Sequence, residues 1–146
     1  MSLPPTPSQT VGPYYAIGLC RRPANEPGTA LRLIGRLIDG AGEPINDGVI
    51  EVWDASRRAW GRCGTDAQGS FTFTIDPPDP CLHVFVFARG LLKHQLTRVY
   101  APGASDAVLE SLPEEQRATL VAAEEDGALR FDIRMQGPRQ RVFFAV

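Results

Sequence analysis

The chain has two histidines, three cysteines and three tyrosines from which to build a metal centre or a nucleophile, and a cysteine and a histidine come together in Cys81-Leu82-His83. Residues two apart on a strand share a face, so Cys81 and His83 point the same way and offer two metal ligands. Catalytic zinc takes three protein ligands and structural zinc four. His94, the other histidine, follows a turn and reads as a surface or interface residue. A Cys-x-His pair whose face continues with Phe85 and Phe87 also has the pattern of a packed strand carrying a satisfied core histidine. Packing is the simpler account and a metal site is the alternative. Cys20, Cys63 and Cys81 are odd in number and lack CxxC spacing, so they read as three free thiols. Asp54, Asp66 and Asp76 lie beside turns, as capping or solvated groups rather than a catalytic pair. No Gly-rich phosphate loop, no G-x-S-x-G elbow and no HExxH helix occurs.

The segment Pro7-Ser8-Gln9-Thr10-Val11-Gly12-Pro13-Tyr14-Tyr15 is the most distinctive in the chain. Pro4, Pro5, Pro7 and Pro13 fix φ and remove backbone donors. Gly12-Pro13 marks a turn, and the two tyrosines after it are amphipathic anchors. Such a segment suits lying across a surface better than forming a helix. Residues 1–29 therefore read as an extended, Pro-rich N-terminal arm, and residues 30–146 as one β-sandwich domain.

Composition narrows the classes. The net charge is −2, with 15 basic and 17 acidic residues and no long single-sign block, which argues against an electrostatic nucleic-acid footprint. The 14 arginines, against the single Lys93, are dispersed and suit surface or interface pairing. No apolar run reaches membrane-spanning length, and the start lacks a basic region followed by an apolar core. A cytoplasmic protein is expected.

Most of the chain has the period of strands. Ala30 to Ile38 ends at the turn Asp39-Gly40-Ala41-Gly42, and Gly48 to Asp54 follows. Thr65 to Gly69 is a second turn, leading into Ser70-Phe71-Thr72-Phe73-Thr74-Ile75, which alternates as a half-buried strand does. Leu82 to Ala88 is apolar on both faces and predicts a central strand. Phe131, Ile133 and Met135 alternate with Arg130, Asp132, Arg134 and Gln136, predicting an edge or one-side-solvated antiparallel strand. One short helix is expected near 113–124, capped by Ser111, with Pro113 in its first turn and its end before Gly127. The fold class is all-β, a two-sheet β-sandwich.

Four stretches in order carry a resemblance. They are Pro7 to Tyr14; Glu51-Val52-Trp53; Phe87-Ala88-Arg89-Gly90 with Thr97-Arg98-Val99-Tyr100; and Arg130 to Gly137 with Val142-Phe143-Phe144. Together they resemble the intradiol ring-cleavage dioxygenases, and within them the α-type subunits of protocatechuate 3,4-dioxygenases. The first and last are specific to the α type. The resemblance implies a β-sandwich and O₂-dependent opening of a dihydroxylated aromatic acid between its two hydroxylated carbons. It implies ferric iron on two tyrosines and two histidines, all supplied by a β-type catalytic subunit. A phenolate is a hard ligand suited to a hard ferric ion.

Carried onto this chain, the histidine pair of the catalytic relatives falls on Cys81 and His83, with cysteine in the first place. The ligand tyrosines belong between Glu51-Val52-Trp53 and this strand. That interval holds Trp60, Phe71 and Phe73 and no tyrosine, and it is shorter than in ordinary α subunits. The resemblance thus implies no iron and no catalytic residue in this chain alone, with iron held by the partner. It also implies that Thr10, Gly12, Pro13, Tyr14 and Arg89 line the pocket for a protocatechuate-like acid. These residue types suit a pocket wall, since Gly12 allows close approach and Arg89 brings a field favouring a carboxylate. Tyr14, Tyr15 and the apolar end at 142–146 point to burial in a hetero- or homo-oligomer. A stand-alone β-sandwich interaction module is the alternative.

Overall fold

Alternation of apolar and polar residues along short strands produces two stacked sheets. The computed structural model describes residues 3–145. One sheet has the order β3-β2-β5-β6, from β2 (Val49–Asp54), β3 (Ala59–Gly64), β5 (Cys81–Phe87) and β6 (Gln95–Tyr100), all antiparallel. The other has the order β4-β1-β8-β7, from β1 (Leu31–Ile38), β4 (Ser70–Ile75), β7 (Ala123–Glu125) and β8 (Ala128–Arg130). A ninth strand, β9 (Ile133–Arg134), pairs with the end of β1. Every second residue faces inward. Leu82, Val84 and Val86 of β5 share one core with Phe71, Phe73 and Ile75 of β4 and with Leu33 and Leu37 of β1. Each such side chain contributes about 1.5–3 kcal/mol on burial. The expected two-sheet sandwich, with β5 as an interior strand, is what forms.

Aspartates close the turns. Asp39 accepts backbone N–H bonds from Ala41 and Glu43, both at 2.9 Å. Asp66 does the same for Gln68 and Ser70, at 2.9 and 2.8 Å. Asp54 is buried at the end of β2 and closes a four-residue hairpin, accepting from Ser56 Oγ at 2.7 Å and Arg57 N at 3.0 Å. Burial opposes its ionisation, but these bonds and Arg57 outweigh it and hold its carboxyl below the usual range. Asp76 accepts the Thr29 N–H at 3.0 Å. These aspartates are structural groups.

The helical region differs from the expectation. Three short helices form: α1 (Tyr15–Leu19), α2 (Ala107–Ser111) and α3 (Glu114–Leu120). Asp106 caps α2, its carboxylate accepting from Leu109 N at 2.8 Å. Ser111 is not the cap of α3 but the last residue of α2, with its hydroxyl on the Val108 carbonyl. Pro113 precedes α3 rather than lying in its first turn. Nor does α3 run to Glu124; it ends at Leu120, where Ala122 N–H bonds the Tyr100 carbonyl and pulls the chain into the sheet. Residues 123–130 make a hairpin on Asp126-Gly127, both at positive φ. That is the geometry a two-residue turn demands.

The strand expected over 130–136 is also different. Phe131 and Ile133 are fully buried and alternate with Arg130, Asp132 and Arg134, as the sequence pattern requires. The pairing, however, is parallel, because the β7–β8 hairpin returns the chain alongside β1. Period-two alternation carries no strand direction. Between β8 and β9 the ladder opens at Gly35 and Arg36, where Asp132 Oδ1 accepts the Arg36 N–H at 3.1 Å. A Cβ on Gly35 would lie 2.1 Å from the Phe131 carbonyl oxygen. Only glycine fits that approach.

Candidate functional site

The N-terminal segment is tied to the sandwich by the Tyr15 hydroxyl, by a bridge at Ala24, and by bonds joining Asn25, Gly28 and Thr29 to β4 and Asp76. Residues 3–11, without regular secondary structure, lead through Gly12, at φ +75°, into α1. The Tyr15 hydroxyl lies 2.5 Å from the Asp47 carbonyl and 3.0 Å from the Phe87 carbonyl, so its one proton is shared between them. Burial, then Asp47, pushes its pKa up to about 12. Further on, Ala24 exchanges backbone bonds of 3.0 and 2.8 Å with Arg62 on β3. The helix at Tyr15–Leu19 is a departure from a wholly extended segment. It is the element that turns the Tyr15 ring inward.

Asp47 then joins two of the expected elements. Its carbonyl receives Tyr15, and its carboxylate pairs with Arg89 Nε at 3.1 Å. Beyond Arg89, Leu91, Leu92, Lys93 and His94 join Phe87 and Val11 around a cavity of about 410 Å³. The His94 ring sits 5.5 Å from that of Phe87 and 5.7 Å from that of Phe85. The segment holding Thr10, Gly12, Pro13 and Tyr14 and the loop holding Arg89 are therefore neighbours, with Val11 on the cavity lining between them. Tyr14 is 77% exposed and the Arg89 side chain 65% exposed; Thr10 and Pro13 are exposed and Gly12 half-buried. Sequence reasoning missed Leu91, Leu92 and Lys93, and treated His94 as a surface or interface residue only. The signal that was available is their continuity with the Phe-Ala-Arg-Gly stretch.

Tyr15→Phe is expected to cost about 0.5–1.5 kcal/mol and to loosen the N-terminal segment. Limited proteolysis would read this as faster cleavage before Ala24, with the sandwich left whole. A cleavage rate equal to the parent's would show that the hydroxyl does not hold the segment.

Cys81 and His83 do share the outer face of β5, as the spacing requires. Cys81 is buried beside Tyr100, Leu109 and Leu120, and burial pushes its thiol up. His83 faces Trp53 and Arg98 on the neighbouring strands. Burial, then Arg98, holds its pKa down, and its buried Nδ1 has no partner among the described residues. The Tyr100 hydroxyl donates to Asp106 at 3.0 Å, and Arg98 donates to the same carboxylate at 3.2 Å.

These groups do not fit a ferric ion. The thiol is a soft ligand, the adjacent Arg98 is cationic, and the nearest tyrosine hydroxyl is already bonded to a carboxylate. No group of three or more His, Cys, Asp or Glu residues with metal-holding geometry occurs among the described residues. Between β2 and β5 the connections are only the short segments 55–58, 65–69 and 76–80.

Solved structures share this fold. No family model matches the sequence. The fold aligns with the dioxygenase domain of a dioxygenase carbohydrate-binding fusion from Streptomyces sp. SirexAA-E, with a TM-score of 0.57, 22% identity, and 90% and 96% of the two chains covered. It also aligns with an intradiol ring-cleavage dioxygenase from Tetranychus urticae, with a TM-score of 0.53, 15% identity, and coverage of 88% and 91%. The architecture is thus that of the intradiol dioxygenases. In sequence, the chain is 35% identical to the protocatechuate 3,4-dioxygenase alpha chain of Burkholderia cepacia over 195 residues, covering 99% of each. It is 27% identical to the protocatechuate 3,4-dioxygenase beta chain of Burkholderia cepacia over 154 residues, covering 75% of this chain and 66% of that one. The chain belongs to the protocatechuate 3,4-dioxygenase alpha-chain family. An alignment of 195 positions against 146 residues leaves many positions of the relative without a counterpart here.

Among the described residues no helix is long and apolar enough to cross a membrane.

Proposed function

We propose that this chain is the α-type subunit of a protocatechuate 3,4-dioxygenase-like complex, without iron of its own. Residues 1–29 act as an arm. Thr10, Gly12, Pro13, Tyr14 and Arg89 form a wall of the pocket for a dihydroxylated aromatic acid. A β-type partner holds the ferric iron at which O₂ opens the ring. The observation that carries this reading is where the apolar surface lies. Of the large hydrophobic side chains left exposed, Leu3, Val11, Tyr14, Ile17 and Leu19 precede the sandwich, Leu92 lies on the cavity that Val11 lines, and Trp60 lies elsewhere, on β3. Arg89 lies in the turn between Phe87 and Leu91, both of which line that cavity. Such a concentration of apolar side chains beside the cations Arg89 and Lys93 suits both a protein partner and an aromatic carboxylate.

The short hairpin at 55–58 favours a second reading, an interaction module on the same fold with no part in ring cleavage. Co-expression with a β-type chain distinguishes the two. The expected result is a complex that co-purifies through size exclusion, carries iron and shows the visible charge-transfer band of tyrosinate on ferric iron. This chain alone, expressed with added iron, is expected to bind none stoichiometrically. One iron per isolated chain would overturn the non-catalytic assignment, and a monomer that ignores the β-type chain would favour the module.

A further inference from the structure

The face built from α3 and the C-terminal segment carries positive charge that the proposed pocket does not use and that the fold uses only at Arg141. Arg134, Arg139 and Arg141, with Glu115, Thr119 and Asp132, line a cavity of about 290 Å³. A second cavity, of about 490 Å³, shares Glu115, Thr119 and Arg139 with it. Arg141 is fixed in place. Its Nε donates to the Asp132 carbonyl at 2.5 Å, and its Nη1 donates to the carbonyl of Thr119 in the last turn of α3. Its guanidinium lies over the Phe131 ring, 4.1 Å from the centroid. It therefore caps a helix C-terminus, where a cation is favoured. One proton on Nη1 and two on Nη2 are left without an acceptor among the described residues.

The charge balance of this cavity is unequal. Arg134 and Arg139 make no side-chain hydrogen bond or ion pair among the described residues. Asp132 is already committed, to the Arg36 N–H at 3.1 Å and to Arg130 Nη2 at 3.2 Å. Glu115 is the remaining carboxylate on the lining, against three guanidinium groups. Burial lowers the Arg141 pKa to about 10, with Asp132 opposing the fall and Arg134 adding to it. Arg134 and Arg139 thus keep their guanidinium donors free for a counter-ion that enters the cavity.

We propose that this cavity binds a polyvalent oxyanion, a small molecule bearing several carboxylates or a phosphate, between Arg134, Arg139 and Arg141. A guanidinium presents its N–H groups as a planar fork that matches both carboxylate and phosphate oxygens. Arg141 supplies a pre-positioned fork, and Arg134 and Arg139 complete the charge. The site does not depend on ring cleavage and stands apart from Arg89 and the N-terminal segment.

Calorimetric titration of the purified chain at low ionic strength tests this, with citrate as a tricarboxylate probe, inorganic phosphate as the second probe, and sodium chloride as the ionic-strength control. The expected result is saturable binding of one oxyanion per chain. It should weaken about tenfold or more when Arg134→Gln and Arg139→Gln are combined, since each removes a charge-assisted bond. Both substitutions leave the Arg141 cap intact, and an unchanged circular dichroism melt without ligand verifies the fold. Saturation by citrate alone identifies a polycarboxylate site, and saturation by phosphate identifies a phosphate site. Heats no larger than those of chloride, or binding unchanged in the double variant, would overturn the proposal.

Discussion

Gly35→Ala is expected to destabilise the chain by at least about 3 kcal/mol, lowering Tm by roughly 10 °C. The added methyl group would sit 2.1 Å from the Phe131 carbonyl oxygen and 2.5 Å from Phe71 Cζ. Neither neighbour can retreat. The Phe131 N–H is bonded to the Ile34 carbonyl at 2.8 Å, and Phe71 and Phe73 form an edge-to-face pair in the shared core. Gly18→Ala is the matched control, because a Cβ there meets nothing within 4 Å and φ is not in the left-handed region. Thermal melts of the two variants give the comparison. A Gly35→Ala protein within about 1 kcal/mol of the parent would mean that the backbone approach at this point is not as close as described.

Arg89→Ala is expected to lower kcat/KM of a reconstituted α–β complex about ten- to hundred-fold while leaving the isolated chain as stable as before. Different contacts govern the two effects. In the isolated chain Arg89 makes one ion pair, with Asp47, from a largely exposed position. Surface pairs of that kind are worth about 0–1 kcal/mol. Facing a bound carboxylate, the same guanidinium would lose a charge-assisted hydrogen bond worth about 1.5–3 kcal/mol. Tyr14→Phe removes one neutral hydroxyl and should cost less, about 0.5–1.5 kcal/mol in kcat/KM. Steady-state kinetics and melts on the same preparations separate the roles. Near-parental cleavage with Arg89→Ala would assign the residue to the Asp47 pair alone.

What could be read from the chain was whatever is decided locally. Alternation at Phe71, Phe73 and Ile75, and at Leu82, Val84 and Val86, gave the inward faces, because a pleat puts every second side chain on one side. Aspartate and glycine gave the turns at 39–42 and 65–69. Long-range choices left no such trace. The parallel pairing of β8 and β9 with β1 depends on the hairpin at Asp126-Gly127, whose glycine reads in the sequence as the end of a helix rather than as a hairpin turn. The end of α3 is set by the Tyr100 carbonyl, far away in sequence. At the candidate site, Arg89 and Tyr14 were visible only through resemblance. Asp47, which receives both Tyr15 and Arg89, was not singled out at all, because its role exists only once two distant loops meet.

The Tyr15 hydroxyl, shared between the carbonyls of Asp47 and Phe87, has a kinetic consequence for assembly. Ordering of residues 15–24 is completed when the chain folds and would not be deferred to an encounter with a partner. The entropy of fixing those residues is then absent from the association step. Docking through that segment would then approach a rigid-body event, with an expected on-rate in the ordinary range of about 10⁵–10⁷ M⁻¹s⁻¹. Differences in affinity among variants of the exposed face, at Ile17 or Leu19 for instance, would appear in the lifetime of the complex rather than in its rate of formation.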